Sequence, residues 1–238
     1  MNLRRVRAVA RKELLDLRRN GNVVSAMAIL PAVFVVEPLI QAFTLTSRAA
    51  LALHHDHVLL YLLAVPSLVP ATLASYTVVG ERTQGTLEPL LSAPVRRDEL
   101  VLGKALAVLV PSVLVSYLLF GLYLTVVELF AKPQVVSTVV QAPDVAVQLV
   151  FTPLLVAWST WVGMAISARA KDLRAASQLA IVASLPTVAV TLLVAFAIVP
   201  SGLKVALGFG IGLFVLDRVG WRVVTGLLDP ERLVTGIR

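Results

Sequence analysis

Ala105-Leu-Ala-Val-Leu-Val-Pro-Ser-Val-Leu-Val-Ser-Tyr-Leu-Leu-Phe-Gly-Leu-Tyr-Leu-Thr-Val-Val-Glu-Leu-Phe130 contains no basic residue and one acid, Glu128. A helix needs roughly 20 apolar residues to cross a hydrocarbon core about 30 Å thick, and this stretch supplies them. Four more stretches have the same character: Asn22–Leu45, Val58–Val79, Val147–Ala168 and Leu179–Val199. A sixth begins near Lys204 and stays apolar to Leu216, then meets Asp217 and Arg218; continued through Val224 it also reaches across. Hydrophobic residues make up 58% of the 238-residue chain and charged residues 15%, with mean hydropathy +0.88. A water-soluble domain carries about 25% charged residues, so the composition excludes one and predicts an all-α integral membrane protein of six spans, residues 22–228. The first span follows a basic segment without a small-residue cleavage pattern and is expected to be retained.

The net charge of +7 is explained by where the basic residues sit. With both termini on one side, 18 of the 21 Lys and Arg residues fall on that side, and Arg48, Lys132 and Lys204 on the other. The positive-inside rule then makes both termini cytoplasmic, with no nucleic acid needed. Residues 1–21 carry Leu3, Val6, Ala10, Leu14 and Leu17 at helical spacing among arginines, which predicts an amphipathic helix in the membrane interface, touching lipid. Asn20-Gly21 ends it. Residues 229–238 form a cytoplasmic tail.

The loop between spans two and three, residues 80–104, is too long for a turn and too polar for a span. Gly85 stops a helix and Thr86 caps a new, short one, with Pro89 in its first turn. Leu87, Leu90 and Leu91 give that short helix an apolar face, and Asp98 and Glu99 suit the start of the third span.

Glu81-Arg82, Gly85-Thr86-Leu87-Glu88, Leu90-Leu91, Pro94-Val95 and Gly103-Lys104 closely resemble the signature of ABC-2 type transporter permeases, departing from it at Pro89 and Arg96. The basic N-terminal helix, the six spans and Leu227-Leu-Asp-Pro-Glu-Arg-Leu233 extend the resemblance. It implies an exporter's membrane subunit in a prokaryotic plasma (inner) membrane. Two such subunits, identical or related, would form the pathway and bind two ABC ATPase subunits. It also implies that the loop is a coupling helix seated in the ATPase, with Glu81, Arg82, Gly85, Thr86, Leu87, Glu88, Leu91 and Pro94 in contact. The chain carries no phosphate-binding Gly-x4-Gly-Lys-Ser/Thr loop, so it is expected to bind no cofactor, ATP and Mg lying on the partner, and to be no enzyme. The expected cargo is hydrophobic or amphipathic. An ion-driven carrier would call for inverted repeats, and an intramembrane enzyme for a nucleophile with its base; neither pattern is present.

Within the spans, Ser67, Thr72, Ser75 and Tyr76 of the second and Ser184, Thr187 and Thr191 of the fifth could line a pathway or serve helix packing. Glu37 inside the first span could meet substrate, or face a subunit interface or water. His54-His55-Asp56-His57 holds all three histidines but reads as a solvated loop, and no metal site is expected. Asp217, Arg218 and Arg222 either pair or reach the headgroups.

Overall fold

The computed structural model describes residues 1–44, 57–85, 95–195, 198 and 203–228. Among these residues all regular structure is helical: α1 (Leu3–Arg19), α2 (Gly21–Thr44), a 3-10 helix (Val58–Leu63) continuous with α3 (Ala64–Thr83), α4 (Arg97–Phe130), α5 (Pro133–Val139), α6 (Ala142–Arg169), α7 (Leu173–Ala195) and α8 (Leu203–Leu227). Five of them, α2, α3 with its 3-10 lead-in, α4, α6 and α7, are long and apolar enough to cross a membrane. The chain is an all-α integral membrane protein. The charged residues Lys204, Asp217, Arg218 and Arg222 set α8 apart from those five.

The helices run through Pro31, Pro38, Pro70, Pro111, Pro153 and Pro186 without ending. Lipid offers no hydrogen bonds, so the backbone keeps its helical bonding and neighbouring helices satisfy what proline frees. At 34 residues α4 is about 51 Å long at 1.5 Å per residue, well beyond the hydrocarbon core. Its charged residues Asp98, Glu99 and Lys104 all fall in its first eight residues.

The fold is built around α3, which is buried along its whole apolar length. Its principal neighbour is α6, followed by α7, α2 and α4. Small residues allow the α3–α6 approach. Ser67, Ala71 and Ser75 face Ser159, Gly163 and Ser167 at a constant register, as expected of two helices running the same way. The Ser159 hydroxyl donates to the Ser67 carbonyl at 2.7 Å and the Ser167 hydroxyl to the Ser75 carbonyl at 2.6 Å. Ser167 Oγ also accepts from the backbone N–H of Val78 and Val79, at 3.1 and 3.0 Å, inserting a hydroxyl into the α3 ladder. A Cβ at Gly163 would collide with the Ala71 carbonyl oxygen and lie 2.7 Å from Ala74 Cβ. Such small-residue contacts replace the hydrophobic effect, which has no force between helices in lipid.

At the other side of α6, Trp161 meets Trp221 of α8 edge to face at 5.5 Å. Large apolar residues such as Ile29, Val33, Leu114, Leu118, Val182 and Ile211 are exposed on the outer wall, where hydrocarbon takes the place of water.

Candidate functional site

At the end of the bundle that carries α1, three charged side chains, Glu13, Glu81 and Lys104, are buried together. Asn20 closes α1 and α2 begins at Gly21, so the chain turns where Asn20-Gly21 predicts. The α1 helix lies across the start of α4. Its inward face is Val6, Val9, Glu13 and Leu17. Val6 and Leu17 belong to the stripe expected from the sequence, whereas Leu3 and Leu14 stay exposed. Gly103 makes the close approach possible, since a Cβ there would fall 2.6 Å from Val9 Cγ1. The N-terminus of α1 is fastened by Glu99, whose Oε1 accepts from the Asn2 backbone N–H at 2.5 Å, with Arg5 at 3.7 Å from Oε2.

Glu13 on α1, Glu81 on α3 and Lys104 on α4 are respectively 3%, 5% and 1% exposed. Lys104 Nζ donates to Glu13 Oε1 at 2.9 Å and to the Thr77 carbonyl at 2.8 Å, and stands 2.7 Å from Glu81 Oε2. Those are three acceptors for the three hydrogens of an ammonium. Lys12 closes the cluster from the solvent side, 2.6 Å from Glu81 Oε1 and 3.2 Å from both Glu13 and Asp16. The two buried carboxylates are thus matched by one buried ammonium, Lys104, and one half-exposed ammonium, Lys12, the pairing that a buried charge needs to persist. Burial pushes the Glu13 carboxyl up; Lys104 opposes this and Glu81 reinforces it. Partial burial disfavours the charge on Lys12, but hydrogen bonding to Glu81 and the field of both carboxylates raise its pKa.

Arg82, the neighbour of Glu81, turns the other way. Its guanidinium donates to the carbonyls of Ala170 and Ala168 at 2.9 and 3.1 Å, capping the C-terminal end of α6. Gly85, at φ +68°, then ends the helical chain. Glu81 and Arg82 together therefore fasten α3 to α1, α4 and α6 immediately before the segment that begins at Thr86. Thr86, Leu87, Glu88, Leu91 and Pro94 lie outside the described residues, as do His54, His55, Asp56 and the 229–238 tail.

Among the polar residues of the spans, Ser67 and Ser75 sit in the α3–α6 contact, and their hydroxyls donate to Leu63 and Thr72 carbonyls at 2.8 and 2.6 Å. Thr72, Ser184 and Thr191 likewise donate to carbonyls of their own helices, Val69, Ala180 and Val188. Thr187 is buried, and Tyr76 is half-buried against the α3 core. Glu37 is exposed on the open face of α2, where Oε1 accepts from Gln41 Nε2 at 2.5 Å.

Sequence reading missed Glu13 and the structural part of Lys104. The signal for Glu13 was available: it is an acid lying within a helical stripe of Val6, Val9 and Leu17 on an otherwise basic segment. It also missed Asp144, which is buried and stands 2.7 Å from His57 Nδ1. Among the described residues no group of His, Cys, Asp and Glu is arranged to hold a metal.

No curated protein matches the chain. Residues 7–229, nearly the whole sequence, match the family described as ABC-2 family transporter protein. That match, over a chain with five helices long and apolar enough to cross a membrane, shows that it belongs to the ABC-2 family, the permease components that work with ABC ATPase subunits.

Proposed function

We propose that this permease is one half of the translocation pathway of an ABC exporter. Two copies, or this chain and a related one, pair in a prokaryotic inner membrane. Two separate ATPase subunits, holding ATP and Mg, drive them. Both termini and residues 80–104 face the cytoplasm, α8 is the sixth span, and α1 lies in the interface with Leu3 and Leu14 toward lipid. The cargo is a hydrophobic or amphipathic molecule.

The observation that carries this reading is the Lys104–Glu13–Glu81–Lys12 cluster. Residues 86–94 bridge α3 and α4, and those helices are tied to each other and to α1 directly beside that segment. A push on Leu87 and Leu91 from an ATPase groove would be transmitted to three helices as one unit rather than absorbed by a slack loop. The positive-inside count supports the orientation. The exposed face of α2, with Val33, Val36, Ile40 and Glu37, supports a subunit contact there.

The test is copurification. The tagged chain, coexpressed with an ABC ATPase subunit from the same cells, should retain that subunit and show ATP hydrolysis that the isolated chain lacks. Robust hydrolysis by the isolated chain would overturn the assignment.

A further inference from the structure

At the end of the bundle opposite α1, the 3-10 helix, α6, α7 and α8 surround a cavity of about 450 Å³. That lies within the range of about 300–1,000 Å³ common to small-molecule sites. Most of its wall is apolar, including Val194, Phe151 and Phe209, and the two phenyl rings stack with centroids 5.5 Å apart. The polar lining is His57, Asp144 and Thr191. Thr191 already donates to the Val188 carbonyl.

Asp144 is the group that calls for a ligand. It is 3% exposed, yet among the described residues only one of its carboxylate oxygens is engaged, Oδ1 at 2.7 Å from His57 Nδ1. The other, Oδ2, is buried and has no hydrogen-bond partner among the described residues. A buried carboxylate oxygen is costly unless a donor reaches it, and a charged donor satisfies it best.

Depth adds a second constraint. With 28 residues α6 is about 42 Å long, so its first turn, with Asp144, stands near the headgroup level. Phe151, buried against Phe209, is about 10 Å further along the helix, at acyl-chain depth. Polar at the rim and apolar below, the cavity matches a molecule with a donor head and a hydrocarbon body.

We propose that this cavity binds a cationic amphiphile, its ammonium group on Asp144 and its hydrocarbon portion against Phe151 and Phe209. Such a head could belong to a membrane aminophospholipid or to a free long-chain amine. The site lies within one chain and does not depend on the exporter reading.

The test uses the full chain purified in dodecyl maltoside, with dodecylamine and dodecanol as probes and thermal unfolding as the readout. Dodecylamine should stabilise saturably, at least tenfold more tightly than dodecanol. Asp144→Asn should reduce it to the dodecanol level. Gly208 borders the cavity and has open space at its Cβ position, so Gly208→Phe should abolish binding of both probes while leaving Asp144 intact. Equal affinity for the two probes, or dodecylamine binding indifferent to Gly208→Phe, would overturn the proposal, and neither result depends on ATPase coupling. Native mass spectrometry separates the sources: retained phosphatidylethanolamine lost in Gly208→Phe identifies the lipid. An empty protein that still binds dodecylamine identifies the free amine.

Discussion

The Lys104 ammonium, 1% exposed, stands 2.7 Å from Oε2 of Glu81, joining the last turns of α3 to the second turn of α4 across the segment expected to meet the ATPase. Neither residue has much water to fall back on, so each depends on the other and on Glu13 and Lys12. A helix pair fastened by charge resists being pulled apart, yet its ions can shift together when the helices tilt as one.

Removing the ammonium should therefore cost more than removing a surface charge. Lys104→Met leaves the Glu13 and Glu81 carboxylates buried with Lys12 as their main ionic counterpart, a loss of about 3–5 kcal/mol by the behaviour of broken buried pairs. The melting temperature of the purified chain should fall clearly. Lys104→Met combined with Glu81→Gln should recover part of the loss, because a carboxylate no longer lacks its partner.

The α3–α6 contact predicts a contrast between two glycines. Gly163→Ala forces a methyl group toward the Ala71 carbonyl and Ala74 Cβ and should cost about 1–3 kcal/mol through overpacking. Gly80→Ala meets nothing within 4 Å and replaces a helical glycine, so it should be neutral or slightly stabilising. Thermal unfolding in detergent compares the two.

Orientation is open to thiol labelling, since the chain has no cysteine of its own. Ser137→Cys on α5 should react with an impermeant maleimide added to intact cells. Ser177→Cys near the start of α7 should react only after the cells are opened. Labelling of Ser177→Cys from outside would reverse the side on which the termini lie.

Much of this architecture is legible in hydropathy. The five apolar stretches become α2, α3 with its 3-10 lead-in, α4, α6 and α7, and Asn20-Gly21 marks the α1–α2 turn. The apolar run of the third span begins only at Ala105, but α4 starts at Arg97 with Asp98 and Glu99 in its first turn, where their charge suits a helix start. The charge cluster is not legible, because Lys104 lies 91 residues from Glu13 and counts in a charge tally as a flank beside a span. Small residues at every fourth position are visible in α3 and α6, but which helix each stripe meets is a tertiary fact. For the same reason sequence alone leaves Ser67 and Ser75 open to pathway lining or helix packing; in the structure their carbonyls accept from Ser159 and Ser167 of α6. His57 read as solvated because its partner, Asp144, is 87 residues away.

A local capping test bears on residues 86–94. If Thr86 caps a short helix there, Thr86→Ala should weaken that helix by about 1 kcal/mol and reduce ATPase-driven transport only modestly. Transport assayed in inverted membrane vesicles measures the effect.

The most direct test of the account puts charge on the apolar face expected to enter the ATPase. Leu87→Asp/Leu91→Asp would place two unpaired charges in a desolvated contact at a cost of several kcal/mol. The measurement is transport together with ATPase retention, in vesicles where membrane abundance is matched to wild type. Insertion and abundance should be normal, with the ATPase lost or its hydrolysis no longer driving transport. Full transport by the double variant would contradict coupling through this segment.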